Sequence, residues 1–148
     1  MDETGMGIKI ITGGVTAARG FKAASTAAGI KYKDRQDMAM IYSQEPCRSA
    51  GTFTTNIVKA APVKWDKNQV TSGAPARAVV INAGIANACT GEEGMGYCGQ
   101  TAEAAALALG ISAESVLVAS TGVIGILDQT YPGINTYFDS PARSDGSQ

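Results

Sequence analysis

Two short apolar runs joined by an amphipathic helix are the feature that most constrains this fold. Arg77–Gly84 (RAVVINAG) and Ser115–Ser120 (SVLVAS) are each predicted to form a buried strand, and the first is typical of a strand covered on both faces. Each run is followed by a glycine-containing loop, NAGIANACTG or STGVIG. If the two strands are neighbours in one sheet, both loops open at the same edge, where α/β proteins commonly place their sites.

The helix between these strands is predicted to run from Thr90 to about Leu109. Thr90 and Glu93 match a capping box, in which each side chain accepts a hydrogen bond from the other residue's backbone N–H. Gly110 supplies a C-terminal stop. Apolar residues recur at three- and four-residue intervals and predict one packed face: Met95, Cys98, Ala102, Ala105, Ala106 and Leu109.

The first half of the chain is predicted to be rich in β-structure. Ile8–Thr12 and Asp37–Gln44 have strand-like patterns, and residues 21–34 fit either a strand or a loop. The segment 49–63 (SAGTFTTNIVKAAPV) is rich in threonine and valine, so we expect another strand there, closed by Pro62. Two or more antiparallel strands are the expected outcome.

Composition excludes several classes of function. The 148 residues carry 12 basic and 13 acidic side chains, and the basic ones are scattered, so no nucleic-acid footprint is present. No apolar run reaches membrane-spanning length and no secretory signal is visible, which predicts a cytoplasmic protein without a membrane partner. Cys47, Cys89 and Cys98 are sparse and the chain has no histidine, which argues against a metal site and excludes Ser-His and Cys-His nucleophile pairs.

Thr121 and Gly122, in the stretch VLVASTGVIG, are the main candidates for chemistry. A threonine hydroxyl and a glycine N–H at the end of a strand can supply two donors to a developing oxyanion. The structural alternative is a turn that ends the strand, in which Thr121 satisfies a local backbone group. On the motif alone, the structural alternative is favoured.

The loop NAGIANACTG holds four further polar candidates: Asn82, Asn87, Cys89 and Thr90. Its amides could orient a substrate, or they could brace their own turns while Thr90 caps the helix. Cys89 lies at a helix start, where a thiolate is favoured, but without a partner base we expect a buried structural thiol.

Five motifs in a fixed order are more specific than any one of them. GGVTAARGFKAA, AAGIK, AGTFTTNIVKAAPV, INAGIANACTG and LVASTGVIG together resemble the amino-terminal part of the ornithine acetyltransferase family, the bifunctional glutamate N-acetyltransferases. The resemblance covers roughly residues 10–125.

This resemblance implies an α/β (α+β) fold, part of the αββα sandwich shared with self-cleaving aminopeptidases. It implies an enzyme of arginine biosynthesis that moves acetyl from N-acetylornithine to glutamate, some members also using acetyl-CoA, with no bound cofactor. The precursor of such enzymes cuts itself into α and β chains that assemble as an α2β2 heterotetramer. The freed β-chain threonine is the nucleophile and its own amine is the base, while the Thr-Gly pair that corresponds to Thr121 and Gly122 forms the oxyanion hole.

Three departures from the family pattern stand out. Ile85 replaces an asparagine and Ile57 replaces an arginine that the family usually carries. After Gly125 the motifs end, and neither Thr130 nor Thr136 has the surroundings of a cleavage site. We therefore expect an α-chain domain over residues 1–125, a divergent and poorly ordered tail over 126–148, and no nucleophile within this chain.

Two other interpretations stay open at this point. The chain could be a non-catalytic assembly or regulatory relative that kept the fold, or a fragment of a self-processing aminopeptidase of the same architecture. The strings FTTN, KAAP and NACTG favour the acetyltransferase. As an isolated chain we expect it to be inactive.

Overall fold

Four strands form one mixed sheet in the computed structural model, which describes residues 11–127. The strands are β1 (Phe21–Thr26), β2 (Met38–Cys47), β3 (Ala76–Ile85) and β4 (Val116–Val123), and they lie side by side in that order. The pairs β1–β2 and β2–β3 are antiparallel, and β3–β4 is parallel. The expected antiparallel first half and the two neighbouring strands of the second half are therefore confirmed.

Two helices complete the architecture: α1 (Ala61–Ser72) and α2 (Gly91–Leu109). Short 3-10 turns lie at Val15–Ala17 and Ala113–Ser115. Most of the strand expected at Ile8–Thr12 lies outside the described residues, and its last two positions are not part of a strand. The tail expected over 126–148 lies almost wholly outside them as well.

The core lies between α2 and one face of the sheet. The packed face predicted for α2 is confirmed, since Cys98, Ala102, Ala105 and Ala106 are buried. The small side chains of α2 let the helix backbone approach the sheet closely. The sheet contributes one residue in two along its central and last strands: Met38, Ala78, Val80, Val116 and Val118.

The opposite face of the sheet carries a second set of apolar side chains. Val79, Ile81 and Leu117 are only half-buried there, and Ala119 is exposed. Within residues 11–127, no helix or strand covers this face. The prediction that β3 is buried on both faces is therefore wrong for the described residues, because burial along β3 alternates with the period of two that a one-sided sheet produces.

The segment 49–63 differs most from the sequence prediction. Residues 50–60 form an irregular loop, and Ala61 begins α1 instead of ending a strand. Pro62 occupies the first turn of the helix, where its fixed φ is favourable and its missing N–H is not needed. Gly73, in the left-handed conformation, ends α1.

β2 continues through Pro46 to Cys47, three residues past Gln44, the expected end of this strand. The register between β2 and β3 shifts between Tyr42 and Cys47, so the proline lies at an irregularity that tolerates a missing donor. Arg77 of β3 fastens this bulge: its guanidinium donates to the hydroxyl of Tyr42 at 2.6 Å and to the carbonyl of Gln44 at 2.5 Å.

Within residues 11–127, neither helix is long and apolar enough to cross a bilayer. The same part of the chain contains no cluster of acidic or cysteine side chains that could hold a metal ion.

Candidate functional site

The ends of β3 and β4 bring the two candidate loops together. Their parallel register pairs Ala83 with Thr121 and Gly84 with Gly122. The carboxyl-terminal ends of both strands lie at the same end of the sheet, as the strand–helix–strand pattern predicts. Thr121 is exposed on the face of the sheet that α2 does not cover, since it alternates with the buried Val116 and Val118.

Gly84 and Gly122 are paired in these strands, with no room for a side chain at position 122. A Cβ placed on Gly122 would overlap the carbonyl carbon and oxygen of Gly84 and lie 2.5 Å from the backbone nitrogen of Ile85. Both glycines have positive φ values, +127° at Gly84 and +139° at Gly122, which side-chain-bearing residues rarely adopt. Strand packing alone therefore requires glycine at position 122.

The backbone direction of β4 decides where the Gly122 N–H points. Trp65 and Asp66 hydrogen-bond the Val116 carbonyl and the Val118 N–H, so these even-numbered residues face the free edge of β4. The Val123 carbonyl accepts a hydrogen bond from Ala86 N–H on the β3 side, so the alternation holds through position 122. Regular alternation thus directs the Gly122 N–H to the free edge, away from β3.

The loop after β3 is fastened to both α1 and the end of β4. The N–H of Ala61, the first residue of α1, donates to the carbonyl of Asn87 at 3.1 Å. Ala86 N–H donates to Val123, and Gly125 N–H donates to Ala88, each at 2.9 Å. The first bond ties the loop to α1, and the other two tie it to the end of the strand that carries Thr121 and Gly122.

Asn87 is the centre of this loop. It is buried, its side-chain Nδ2 donates to the Gly94 carbonyl at 2.9 Å, and its Oδ1 accepts from the Thr90 hydroxyl at 2.7 Å. The predicted capping box is therefore wrong. Thr90 does stand at the N-cap of α2, but its hydroxyl donates to Asn87 and no side-chain cap bond forms.

The remaining loop candidates separate into one brace and one exposed thiol. Asn82 donates from Nδ2 to the Ile85 carbonyl at 2.9 Å, which is the structural role that its pattern allowed. Cys89 is exposed, so the prediction of a buried thiol there is wrong. Its backbone adopts a φ of 58°, and it lines an open pocket of about 180 Å³ with Lys59 and Lys64.

The hairpin loop between β1 and β2 lies beside the carboxyl-terminal end of β3. The buried Asp37 accepts 2.7 Å hydrogen bonds from the N–H groups of Ala28 and Ile30, which fixes the connection between β1 and β2. The next residue, Lys31, packs its stem against Gly84: a Cβ placed on that glycine would lie 2.9 Å from the Lys31 Cβ. The hairpin loop therefore contacts Gly84, the glycine that lies against Gly122.

Two residues of α1 that the sequence analysis did not single out also contact β4. Trp65 Nε1 donates to the Val116 carbonyl and Asp66 Oδ1 accepts from the Val118 N–H, both at 2.9 Å. Burial raises the pKa of Asp66 to about 6, although the hydrogen bond from Val118 opposes the shift. Burial, together with the nearby Asp66 charge, raises the pKa of the Cys98 thiol to about 12, so this cysteine is inert.

Sequence reasoning offered one weak signal for this pair. Trp65 is the only tryptophan in the chain, and its indole N–H needs a hydrogen-bond acceptor when the ring is buried. The adjacent Asp66 is a second polar side chain on the same helix. The acceptor of the Trp65 indole lies 51 residues away, beyond any local pattern.

Comparison with known proteins decides the family. The ArgJ family model matches residues 22–135, which is most of the chain. The chain belongs to the ArgJ family. The match continues ten residues beyond Gly125, the last position of the motifs that carry the resemblance.

Curated ArgJ relatives are similar over most of this chain. The arginine biosynthesis bifunctional protein ArgJ of Gloeobacter violaceus is 52% identical over 116 residues, which are 78% of this chain and 29% of the relative. The ArgJ protein of a Synechocystis species is 41% identical over 143 residues, 95% of this chain and 35% of the relative. The chain thus spans about a third of the length of these relatives.

Two solved structures share the fold. The ArgJ protein of Bacillus halodurans has a TM-score of 0.80 and 34% identity, covering 86% of this chain and 66% of the solved one. An ornithine acetyltransferase from Mycobacterium tuberculosis, solved with ornithine, has a TM-score of 0.76 and 45% identity, covering 83% and 68% respectively. The predicted fold class, an α+β architecture of the ornithine acetyltransferase type, is therefore confirmed.

Proposed function

We propose that this chain is the α-chain portion of an acetyltransferase that moves acetyl from N-acetylornithine to glutamate in arginine biosynthesis. The observation that carries the proposal is the placement of Thr121 and Gly122 side by side on a strand end, with the Gly122 N–H directed to a free edge. Membership of the ArgJ family supports the reaction, and it favours an acetyltransferase over a self-processing aminopeptidase.

In this proposal the two residues bind the charge that the reaction creates. A nucleophile attacks the acetyl carbon of N-acetylornithine, and the electron pair of the carbonyl moves to its oxygen. The Gly122 N–H and the Thr121 hydroxyl donate hydrogen bonds to that oxyanion, which is stronger as an acceptor than the ground-state carbonyl. The oxyanion then collapses, ornithine leaves with a proton, and glutamate accepts the acetyl group in a second step.

The nucleophile is contributed by polypeptide other than residues 11–127. We propose that it is the threonine exposed by self-cleavage of the precursor, with its own amine as base, because no histidine is present to activate another hydroxyl. The α and β chains then assemble as an α2β2 heterotetramer in the cytoplasm. Acetyl-CoA is a candidate second acetyl donor, and the proposal includes no bound cofactor.

The apolar sheet face that α2 leaves uncovered fits this assembly. Val79, Ile81 and Leu117 are half-buried side chains that a second sheet would cover. The same face carries the exposed Thr121, so a β chain seated there would lie beside the proposed oxyanion donors.

A chimaera tests this proposal. Residues 22–125 of this chain replace the aligned segment of the Gloeobacter violaceus ArgJ protein, and the purified product is assayed for transfer of acetyl from N-acetylornithine to glutamate. The proposal predicts transfer by the chimaera and none by the isolated chain. A folded, cleaved chimaera without transfer, beside an active parent, would instead support the non-catalytic relative.

A further inference from the structure

Adjacent residues of α1 hold the edge strand of the sheet by its backbone. β4 is the last strand in the order, so its outer edge has no neighbouring strand within residues 11–127. Trp65 Nε1 donates to the Val116 carbonyl and Asp66 accepts from the Val118 N–H, each at 2.9 Å. The two side chains occupy positions that a fifth strand would otherwise fill, which also protects the edge.

The hydrogen bonds from Trp65 and Asp66 reach only the first half of β4. By alternation, Ser120 and Gly122 face the same edge as Val116 and Val118, but α1 makes no hydrogen bond to either of them. Gly122 lies about 13 Å along the strand from Val118 at the usual rise per residue. The open half of the edge is therefore the part that carries the proposed oxyanion donor.

We propose that Trp65 and Asp66 are positioning residues that hold the outer edge of β4 in place and so aim the Gly122 N–H at the acyl oxygen. This inference rests on the proposed function, because it assumes that Gly122 is an oxyanion donor. Oxyanion stabilisation depends steeply on donor placement, so a small displacement of the outer edge of β4 reduces turnover while leaving substrate binding intact.

Asp66 serves the strand as a hydrogen-bond acceptor. Asp66 is half-buried beside the buried Cys98, and desolvation raises its pKa, so the carboxyl group makes the fold less favourable when it is ionised. An amide would accept the same hydrogen bond at lower cost. What the strand requires of position 66 is an acceptor for the Val118 N–H, and the observed bond of 2.9 Å is one that an amide oxygen can also accept.

Three substitutions separate anchoring from packing. Asp66→Asn keeps an acceptor for Val118, Asp66→Ala removes it, and Trp65→Phe keeps the ring while removing the donor to Val116. In the chimaera, we expect D66A to lower kcat about tenfold with KM nearly unchanged, W65F to lower kcat less, and D66N to retain most of it. Equal kcat in D66A and D66N would overturn the proposal, and so would a change confined to KM.

Hydrogen exchange on the isolated chain gives a readout that needs no activity. We expect amide exchange over residues 118–123 to be about tenfold or more faster in D66A and close to wild type in D66N. Unchanged exchange in D66A would overturn the anchoring role. A chimaera that is inactive with every residue at position 66 would contradict the proposed function alone, and exchange would then decide the anchoring.

Discussion

Gly122 of β4 lies directly against the backbone of Gly84 of β3, with no room for a Cβ between them. The close approach has two consequences. The absence of a Cβ lets the ends of two parallel strands pair closely where the two candidate loops meet. It also means that glycine at position 122 serves the packing of the sheet before it serves any ligand.

Gly122→Ala should destabilise the purified chain by about 3 kcal/mol or more, because the methyl group overlaps backbone that cannot move aside and φ is +139°. Gly125→Ala is the matched control: its φ is +78°, but no atom lies within 4 Å of the added Cβ. We expect the control to cost about 1 kcal/mol from backbone strain alone. Urea denaturation measures both, and equal losses would contradict the close contact.

Gly94→Ala should destabilise the chain by about 1–3 kcal/mol, since a Cβ at that position overlaps the Thr90 hydroxyl and the Asn87 side chain. Gly96→Ala, two residues along the same helix, meets no atom within 4 Å. It should stabilise the chain by about 0.5–1 kcal/mol through helix propensity. Thermal unfolding of the two variants measures both changes in stability. A change of the same sign in both variants would contradict the packing of Gly94 against the Asn87 and Thr90 side chains.

Asp66→Asn should change how stability depends on pH. Burial raises the pKa of Asp66 from 3.8 to about 6, so the folded chain binds this proton more tightly than the unfolded chain does. The wild type therefore loses stability as pH rises from about 4 to about 6, and the loss is complete above that range. D66N lacks this loss, so it should gain about 1 kcal/mol relative to wild type between pH 4 and pH 7, after allowance for partial exposure.

The measurement is the difference in unfolding free energy between the two proteins at several pH values, in which the other carboxyl groups cancel. Curves that stay parallel from pH 4 to pH 7 would show that Asp66 titrates normally.

The second half of the fold was predictable because its signals are local and agree with one another. The apolar runs of β3 and β4, the repeating face of α2 and the stop at Gly110 all specify the same strand–helix–strand unit. The site followed from that unit, because parallel neighbours end at one edge. What the pattern could not give was the direction of the Gly122 N–H, which depends on the partners of β4.

In the first half of the chain the sequence prediction was wrong where tertiary contacts override the intrinsic propensity of the residues. Threonine and valine favour β-structure, yet residues 50–60 are a loop and Pro62 begins a helix. α1 is held by bonds from Trp65 and Asp66 to a strand more than fifty residues away, which no local window contains. The capping box failed for a similar reason: the Thr90 hydroxyl donates to the buried side chain of Asn87 instead of accepting a hydrogen bond from a backbone N–H of the first helical turn.

The central claim is that the donors at the end of β4 stabilise an oxyanion, and turnover of the Thr121→Ala chimaera tests it most directly. Thr121 is exposed and its side chain makes no hydrogen bond within residues 11–127, so the substitution should leave the fold intact. We predict a kcat lower by about 10²–10³ for T121A with KM little changed, and substantial recovery in Thr121→Ser, which restores the hydroxyl. Wild-type kcat in T121A would contradict it.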